Sequence, residues 1–187
     1  MPKSMPSPLP LPRYPGLAVR PVRNGLGIVA LKRFRPGDVV CEIRGRIATA
    51  RTLWLYWDTE PLRAENCFRY DAGRYLDPEG QIGRYANHSC APNTGIIKRE
   101  QKLFLVALVT IPRGQEVTHD YSTLLGADDV WRMRCNCGEA GCRGVVRNIR
   151  SLSMARRHDY LSAGILPAYI LATLPEKIKK KSMETIT

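Results

Sequence analysis

Residues 84–93 read RYANHSCAPN: an Asn-His pair, a Ser, a Cys, a Pro and a second Asn within one short stretch. Neither an amphipathic helix nor an alternating strand has this composition, because almost nothing in it would bury an apolar face. Its end, Cys90-Ala-Pro-Asn93, has turn chemistry, since Pro presets φ and Asn tolerates left-handed backbone. The stretch is therefore expected to be irregular and to present polar groups and a thiol, as functional loops do.

Outward from it, the chain reads as short strands. Residues 68–76 pattern as a hairpin with Ala72-Gly73 at its tip, and residues 94–98 and 103–110 as a second, turning at Arg99-Glu100-Gln101. LFLVALV at 103–109 is the most apolar run and reads as a central buried strand. Residues 111–114 turn, and 115–121 lead out of the sheet. Nearer the N-terminus, residues 17–23 form a strand broken by Pro21, hence an edge. Asn24-Gly25-Leu26-Gly27 is a turn, where glycine permits positive φ or close backbone approach. Residues 28–34 and 39–43 are strands separated by the turn signal RPGD at 35–38. Residues 49–66, holding Trp54, Tyr56 and Trp57, suit a short helix. Many short strands between Gly and Pro turns predict a mainly β core.

Beyond Gly126 the character changes. Residues 127–134 suit one or two helical turns, and 135–144 form a cysteine-rich loop. A helix over 151–163 has Ser151 or Ser153 as cap and Gly164 as stop. A second, over 167–174, begins with Pro167. The expected organisation is a Pro-rich flexible arm (1–16), a main domain (17–125), a cysteine-bearing segment (126–146) and a helical C-terminal extension with a basic tail (147–187).

The 187 residues suit one domain with extensions, and 44% hydrophobic with 25% charged residues is ordinary for a soluble protein. A formal net charge of +12 is not. Such a field favours nucleic acid, an anionic membrane or an anionic cofactor, and says nothing about fold. Basic residues gather at Arg143, Arg147, Arg150, Arg156, Arg157 and at Lys177, Lys179, Lys180 and Lys181. Acids gather at Asp58, Glu60, Glu65, Asp71, Asp77 and Glu79, either as a negative surface for a cationic partner or as a solvated face cancelled by Arg63, Arg69 and Arg74. No apolar run approaches the roughly 18 residues of a membrane span, and the six prolines from Pro2 to Pro15 favour an extended arm without a secretory leader's apolar core. An intracellular protein is expected, and in that compartment six cysteines point to thiols or a metal rather than disulfides.

Cys135-x-Cys137-x4-Cys142 sets three thiols in eight residues around Gly138 and Gly141. A structural zinc takes four ligands and favours thiolates, so a fourth must come from elsewhere. Cys41, Cys67, Cys90, His88, His119 and His158 are available; Cys41 and Cys67 sit in apolar strand-like runs that suit buried free thiols, which leaves Cys90, in its polar turn, as the best. An iron–sulfur site or a reactive thiol cluster remains an alternative.

These residues resemble the SET-domain protein-lysine methyltransferases that carry a post-SET cysteine motif, over residues 19–144. Asn24-Gly-Leu-Gly27 with the following strand, Arg-Pro-Gly turn and Val-Val-Cys-Glu42 is similar to the family's opening. Residues 84–93 resemble its hallmark Arg-aromatic-x-Asn-His-Ser-Cys-x-Pro-Asn, Gly114-Gln-Glu-Val-Thr-His-Asp-Tyr121 its Asp-Tyr segment, and Cys135-x-Cys-x4-Cys142-Arg-Gly its post-SET motif. The resemblance implies several small β-sheets with a pseudoknot in which the hallmark and Asp-Tyr segments thread together, a post-SET zinc loop and short C-terminal helices. It implies S-adenosylmethionine as methyl donor, with Asn24, Gly25, Leu26, Gly27, Asn87 and His88 on it, and Tyr121 as the active-site tyrosine. One structural zinc on Cys90, Cys135, Cys137 and Cys142 follows, as does a basic, lysine-containing protein substrate. The location is the cytoplasm for a bacterial member and the nucleus or chromatin otherwise. A catalytically silent, zinc-stapled module binding nucleic acid or chromatin through its basic surface is the alternative. Two departures stand out: the family often has a Tyr where this chain has Ile43, and an aromatic that tunes methyl number where it has His119.

Overall fold

The computed structural model describes residues 14–176; residues 1–13 of the Pro-rich arm and the lysine tail beyond Glu176 lie outside the described residues. The chain opens with a hairpin of β1 (Leu17–Val22) and β2 (Gly25–Ala30). Val22 stands opposite Gly25, so the turn is Arg23-Asn24 and the two glycines start β2 instead of forming the turn expected of them. Pro21 is tolerated because this two-stranded sheet has only edges. β2 ends at Ala30, four residues before the expected limit, and Phe34 bridges Ile111 instead.

β3 (Val39–Ile43) is as expected, while β4 (Arg46–Thr49) is not anticipated: Ala48 is its one buried side chain, so no apolar alternation announces it. The single helix expected over 49–66 is two, α1 (Ala50–Thr59) and α2 (Pro61–Glu65). Thr49 caps α1 by accepting from the Thr52 N–H, and the break falls at Glu60 because Pro61 has no N–H to continue the ladder. β5 (Phe68–Arg69) and β6 (Arg74–Asp77) form the predicted hairpin and join β4 in a sheet of order β4-β6-β5.

The polar stretch then makes a 3-10 turn (Ile82–Tyr85) and β7 (Asn87–His88). β8 (Thr94–Arg99) and β9 (Lys102–Ala107) turn through Glu100 and Gln101, both at positive φ, and pair with β3 in the order β3-β9-β8. β9 is central in that sheet and stops at Ala107, two residues short of the apolar run. β10 (Thr118–His119) lies parallel to β7, with Asn87 opposite Thr118 and His88 opposite His119. Asn93 ties the two segments further: its Oδ1 accepts from the Thr118 N–H and its Nδ2 donates to the Glu116 carbonyl. This is the interleaving of hallmark and Asp-Tyr segments that the resemblance implies.

Residues 127–134 are not helical. The Asp129 carboxylate accepts from the Gly126 N–H and pairs with Arg69, and this pinning replaces a helical ladder. The segment runs straight into β11 (Met133–Arg134), antiparallel to β12 (Val145–Val146). α3 (Met154–Ser162) takes Ser153, not Ser151, as its cap, and Gly164 at φ +68° follows it. α4 (Ala168–Leu171) has Pro167 at its N-cap rather than its first position.

Ile28, Ile43, Ile96, Leu103, Leu105, Ile111 and Val117 form the closed centre of the main core. A second cluster of Ile149, Leu152, Tyr160, Ile165, Leu166, Ile170 and Leu174 packs the C-terminal extension onto Ile97 and Leu108. That contact needs Gly95 in β8, since a Cβ there would stand 2.2 Å from the Ile165 side chain. Gly95→Ala overpacks this seam, so it should destabilise the protein by about 1–3 kcal/mol, read as a lower urea midpoint. An unchanged midpoint would show that the extension is not seated on β8.

Candidate active site and cysteine cluster

Four rings cluster around β7 and β10. The Tyr121 ring lies 5.3 Å from His88, 4.9 Å from His119 and 6.4 Å from Trp131, centroid to centroid. The Tyr121 N–H donates to His88 Nδ1 at 3.2 Å, and the Tyr121 hydroxyl donates to the Ala86 carbonyl at 3.1 Å. Both segments predicted to carry function therefore meet at one tyrosine.

Tyr121 stands where two cavities adjoin. One, of about 270 Å³, is polar: Asn24, Asn87, His88, Arg134, Asn136 and the thiol-bearing Cys135 and Cys137 line it. The other, of about 120 Å³, is smaller and richer in rings, with Trp57, Phe68, Tyr75 and His119 in its wall beside Arg69, Arg84 and Asp129. Glu65, Asn66, Tyr121 and Trp131 border both. Of the residues expected on the methyl donor, Asn24, Asn87 and His88 line the polar cavity; Gly25, Leu26 and Gly27 do not. Leu26 and Gly27 act from behind. The Leu26 carbonyl accepts from Asn87 Nδ2 at 3.1 Å, and Gly27 leaves room for the Asn87–Glu116 hydrogen bond of 2.8 Å, since a Cβ there would stand 2.5 Å from Glu116 Oε1. Asn24 meets the cysteine loop, accepting from Asn136 Nδ2 at 3.3 Å.

Burial controls the protonation of the rings. It drives His88 down to about 4 and His119 down to about 3, so both are neutral at physiological pH. His88 keeps its proton on Nε2, because Nδ1 accepts from Tyr121; Nε2 lies 3.3 Å from Cys90 Sγ. The 3.6 Å approach of His88 Nδ1 to Asp120 is therefore no ion pair. Burial raises the Tyr121 phenol, with Glu116 and Glu65 adding to it, so the hydroxyl stays protonated. His119 stacks on Phe68 with centroids 5.6 Å apart, and its Nδ1 is buried without a partner.

Asp120 is fully buried and holds the site's surroundings together. Its oxygens accept from both Arg143 terminal nitrogens at 2.6 and 2.7 Å, from the Ser122 N–H at 3.0 Å and from the Tyr160 hydroxyl at 3.0 Å. Burial alone would raise its pKa, but Arg143 outweighs that and holds it below the ordinary carboxylate range. Arg143 follows Cys142 directly, which places the cysteine loop against the Asp-Tyr segment.

The sulfurs of Cys90, Cys135, Cys137 and Cys142 lie within 4.8 Å of one another, with Cys90 and Cys135 at 3.7 Å. The Arg143 and Gly144 N–H groups donate to Cys90 Sγ and Cys142 Sγ, each at 3.4 Å. Among the described residues, Cys41, Cys67, His119 and His158 are outside this group, and His88 touches it only through Cys90. Burial pushes the Cys41 and Cys67 thiols up to about 12, as for inert buried thiols.

Several residues were invisible in the sequence. Trp131 and Tyr75 line the cavities from segments with no motif around them, while Glu65, counted with the acidic stretch, borders both. Arg143 and Arg157, counted with the basic surface, are not on it: the first binds Asp120 and the second is buried against the Ile149 and Arg150 carbonyls. The acidic stretch is largely cancelled, since Glu60, Asp71, Asp77 and Glu79 pair with Arg63, Arg74, Arg63 and Arg84. Arg69 instead pairs with Asp128 and Asp129. Ile43 is buried in the core and lines neither cavity.

The SET domain family model matches residues 25–122. An H3 lysine-4 specific histone-lysine N-methyltransferase of Cryptococcus neoformans is 32% identical over 130 residues, covering 65% of this chain and 9% of that protein. The histone H3-lysine(4) N-trimethyltransferase ATX1 of Arabidopsis thaliana is 32% identical over 136 residues, 67% of this chain and 12% of its own. An H3 lysine-36 specific histone-lysine N-methyltransferase of Yarrowia lipolytica is 30% identical over 132 residues, 65% and 17%. The chain thus spans 17% or less of the length of these relatives. The crystal structure of KRYPTONITE in complex with mCHH DNA, H3(1-15) peptide and SAH shares the fold, with a TM-score of 0.54 at 23% identity, over 70% of this chain and 29% of that one. A match over more than half the chain, on a fold that joins the same two segments, makes this protein a member of the SET-domain family.

Proposed function

We propose that this protein is a protein-lysine N-methyltransferase that uses S-adenosylmethionine as methyl donor. One observation carries the reading: Tyr121 stands between a polar cavity and a smaller aromatic one. The polar cavity, with Asn24, Asn87 and His88, suits the nucleoside and amino-acid ends of the donor; the aromatic one suits the aliphatic stem of a lysine. The bound donor supplies an electrophilic sulfonium methyl: the amine lone pair forms the new C–N bond, the S–C bond electrons pass to sulfur, and the product is S-adenosylhomocysteine.

The chain's own residues align the partners and exclude water. The Tyr121 hydroxyl donates to Ala86, so its lone pairs can accept from the amine and from methyl hydrogens. His88 is neutral with Nδ1 occupied, which makes it a positioning group rather than a base. An ammonium desolvated among these rings beside the cationic sulfonium gives its proton to solvent more readily than its ordinary pKa near 10.4 allows. Glu65 offers a carboxylate at the junction, which favours cationic reactants. The curated relatives are named for histone H3 lysines, so the substrate assigned is a histone-like basic tail, and the place of action chromatin.

Zinc is the metal that fits the cysteine cluster. A tetrahedral site with Zn–S near 2.3 Å separates its sulfurs by about 3.8 Å, and the four thiols already approach that spacing. Cys90, Cys135, Cys137 and Cys142 would hold it, and the ion would fasten the cysteine loop beside the polar cavity.

The basic surface supports a second, compatible reading. Arg147, Arg150 and Arg156 are exposed on a chain of net charge +12. They suit a nucleic-acid backbone close to the protein substrate.

Labelled S-adenosylmethionine should transfer its methyl to a lysine of histone H3, and Tyr121→Phe should lower kcat by roughly a hundredfold while keeping donor binding. No transfer by the wild type, or full transfer by the variant, refutes the assignment. Elemental analysis should find one zinc per chain, lost with activity in Cys142→Ser; iron, or no metal, would overturn the zinc. Nucleic-acid affinity should fall steeply with salt and weaken on joint reversal of Arg147, Arg150 and Arg156, and a salt-independent affinity would remove that reading.

A further inference from the structure

We infer that Tyr160, Tyr169 and Thr173 of the C-terminal extension are positioning residues of the methyl-transfer site, bracing from behind the segments that wall the aromatic cavity and carry Tyr121. The inference rests on the function proposed above. The family match ends at residue 122, and these three residues lie well beyond it.

The hydrogen bonds that residues 148–174 make to the earlier chain, among the described residues, land on the wall of that cavity, on the base of the loop that leads into it or on the segment that aims Tyr121. The Tyr160 hydroxyl donates to Asp120 Oδ2 at 3.0 Å. The Tyr169 hydroxyl donates to the Arg69 carbonyl at 2.6 Å, directly after Phe68. Thr173 Oγ1 accepts from the Ala127 N–H at 2.7 Å, at the base of the loop that carries Asp129 and Trp131. That loop is held again by Asn148 Nδ2 on the Asp129 carbonyl at 2.7 Å and by the Ile149 N–H on the Leu125 carbonyl at 2.9 Å.

A buried tyrosine hydroxyl needs a partner, and any nearby carbonyl would serve for packing alone. Here the partners are the separate segments whose spacing sets the width of the cavity and the aim of Tyr121. Tyr160 also shares the Asp120 carboxylate with Arg143. Removing its hydroxyl leaves a buried carboxylate one donor short beside Tyr121, with Arg143 free to draw it toward the cysteine loop. A displacement of the Tyr121 hydroxyl would affect the methyl-transfer step more than substrate binding.

The test compares Tyr160→Phe and Tyr169→Phe, which keep the rings, with Ile170→Val, which loosens the same apolar cluster without touching the wall. In the full chain, Tyr160→Phe should lower kcat about tenfold with the KM values for donor and histone H3 peptide unchanged. Tyr169→Phe should lower it less, and Ile170→Val should lower thermal stability alone. In nuclear magnetic resonance spectra, the Tyr121 backbone amide and the His88 ring nitrogens should shift in the two Tyr variants and not in Ile170→Val. Unchanged kcat and unchanged Tyr121 amide in Tyr160→Phe overturn the inference, as do equal effects from Ile170→Val. If the wild type methylates nothing, the proposed function fails, while the Tyr121 and His88 resonances still decide whether the extension positions that segment.

Discussion

The buried Asp120 carboxylate, gripped on both oxygens by Arg143, is the interaction on which the rest of this structure depends. A charge without solvent is costly unless it is paired and its remaining lone pairs are filled, and here the Ser122 amide and the Tyr160 hydroxyl fill them. The partners come from three parts of the chain: the Asp-Tyr segment itself, the cysteine loop and the C-terminal extension. Satisfying one carboxylate therefore draws all three together. The residue that follows it is Tyr121, whose placement is thereby set from several directions.

Neutrality around that anchor follows from the same exclusion of water. His88 and His119 sit close to Asp120, yet burial outweighs the attraction of its charge and both stay unprotonated. Tyr121 stays protonated for the parallel reason. The rings of the site are thus uncharged, and its ion pairs, Asp120 with Arg143 and Asp129 with Arg69, are fixed. That is the environment expected when a reaction needs alignment and desolvation and no free general base. The cysteine cluster extends the same logic: its loop borders the polar cavity, and Arg143, the residue after Cys142, ties the loop to Asp120 beside the tyrosine.

The candidate site was legible to the extent that its residues sit in compact local patterns. The Asn-His-Ser-Cys run, the Asp-Tyr pair and the closely spaced cysteines each announce themselves, because chemistry that needs several groups close together is often met by neighbours in sequence. Cys90 as partner to the three later thiols followed from its turn chemistry and the absence of a better donor. The wall residues escaped because a cavity is made by what faces it. Trp131, Tyr75 and Glu65 have no common spacing, and they converge only after β6, α2 and the 127–134 segment are placed. The supposed helix at 127–134 failed for a related reason: Arg69, far away in sequence, takes the Asp129 carboxylate and pins the segment.

The sequence by itself determined the mainly β architecture and singled out Cys90 as the companion of the three later thiols, because turn chemistry, apolar runs and clustered polar residues are local properties; the pairing of the hallmark with the Asp-Tyr segment came only through the family resemblance. Tertiary structure alone decided which residues face a cavity, which arginines remain on the surface and where the C-terminal extension packs. Arg143 and Arg157 look in sequence like members of a basic face, and a buried carboxylate and a pair of carbonyls take them inward. Such outcomes depend on desolvation and on partners distant along the chain, neither of which a linear pattern records.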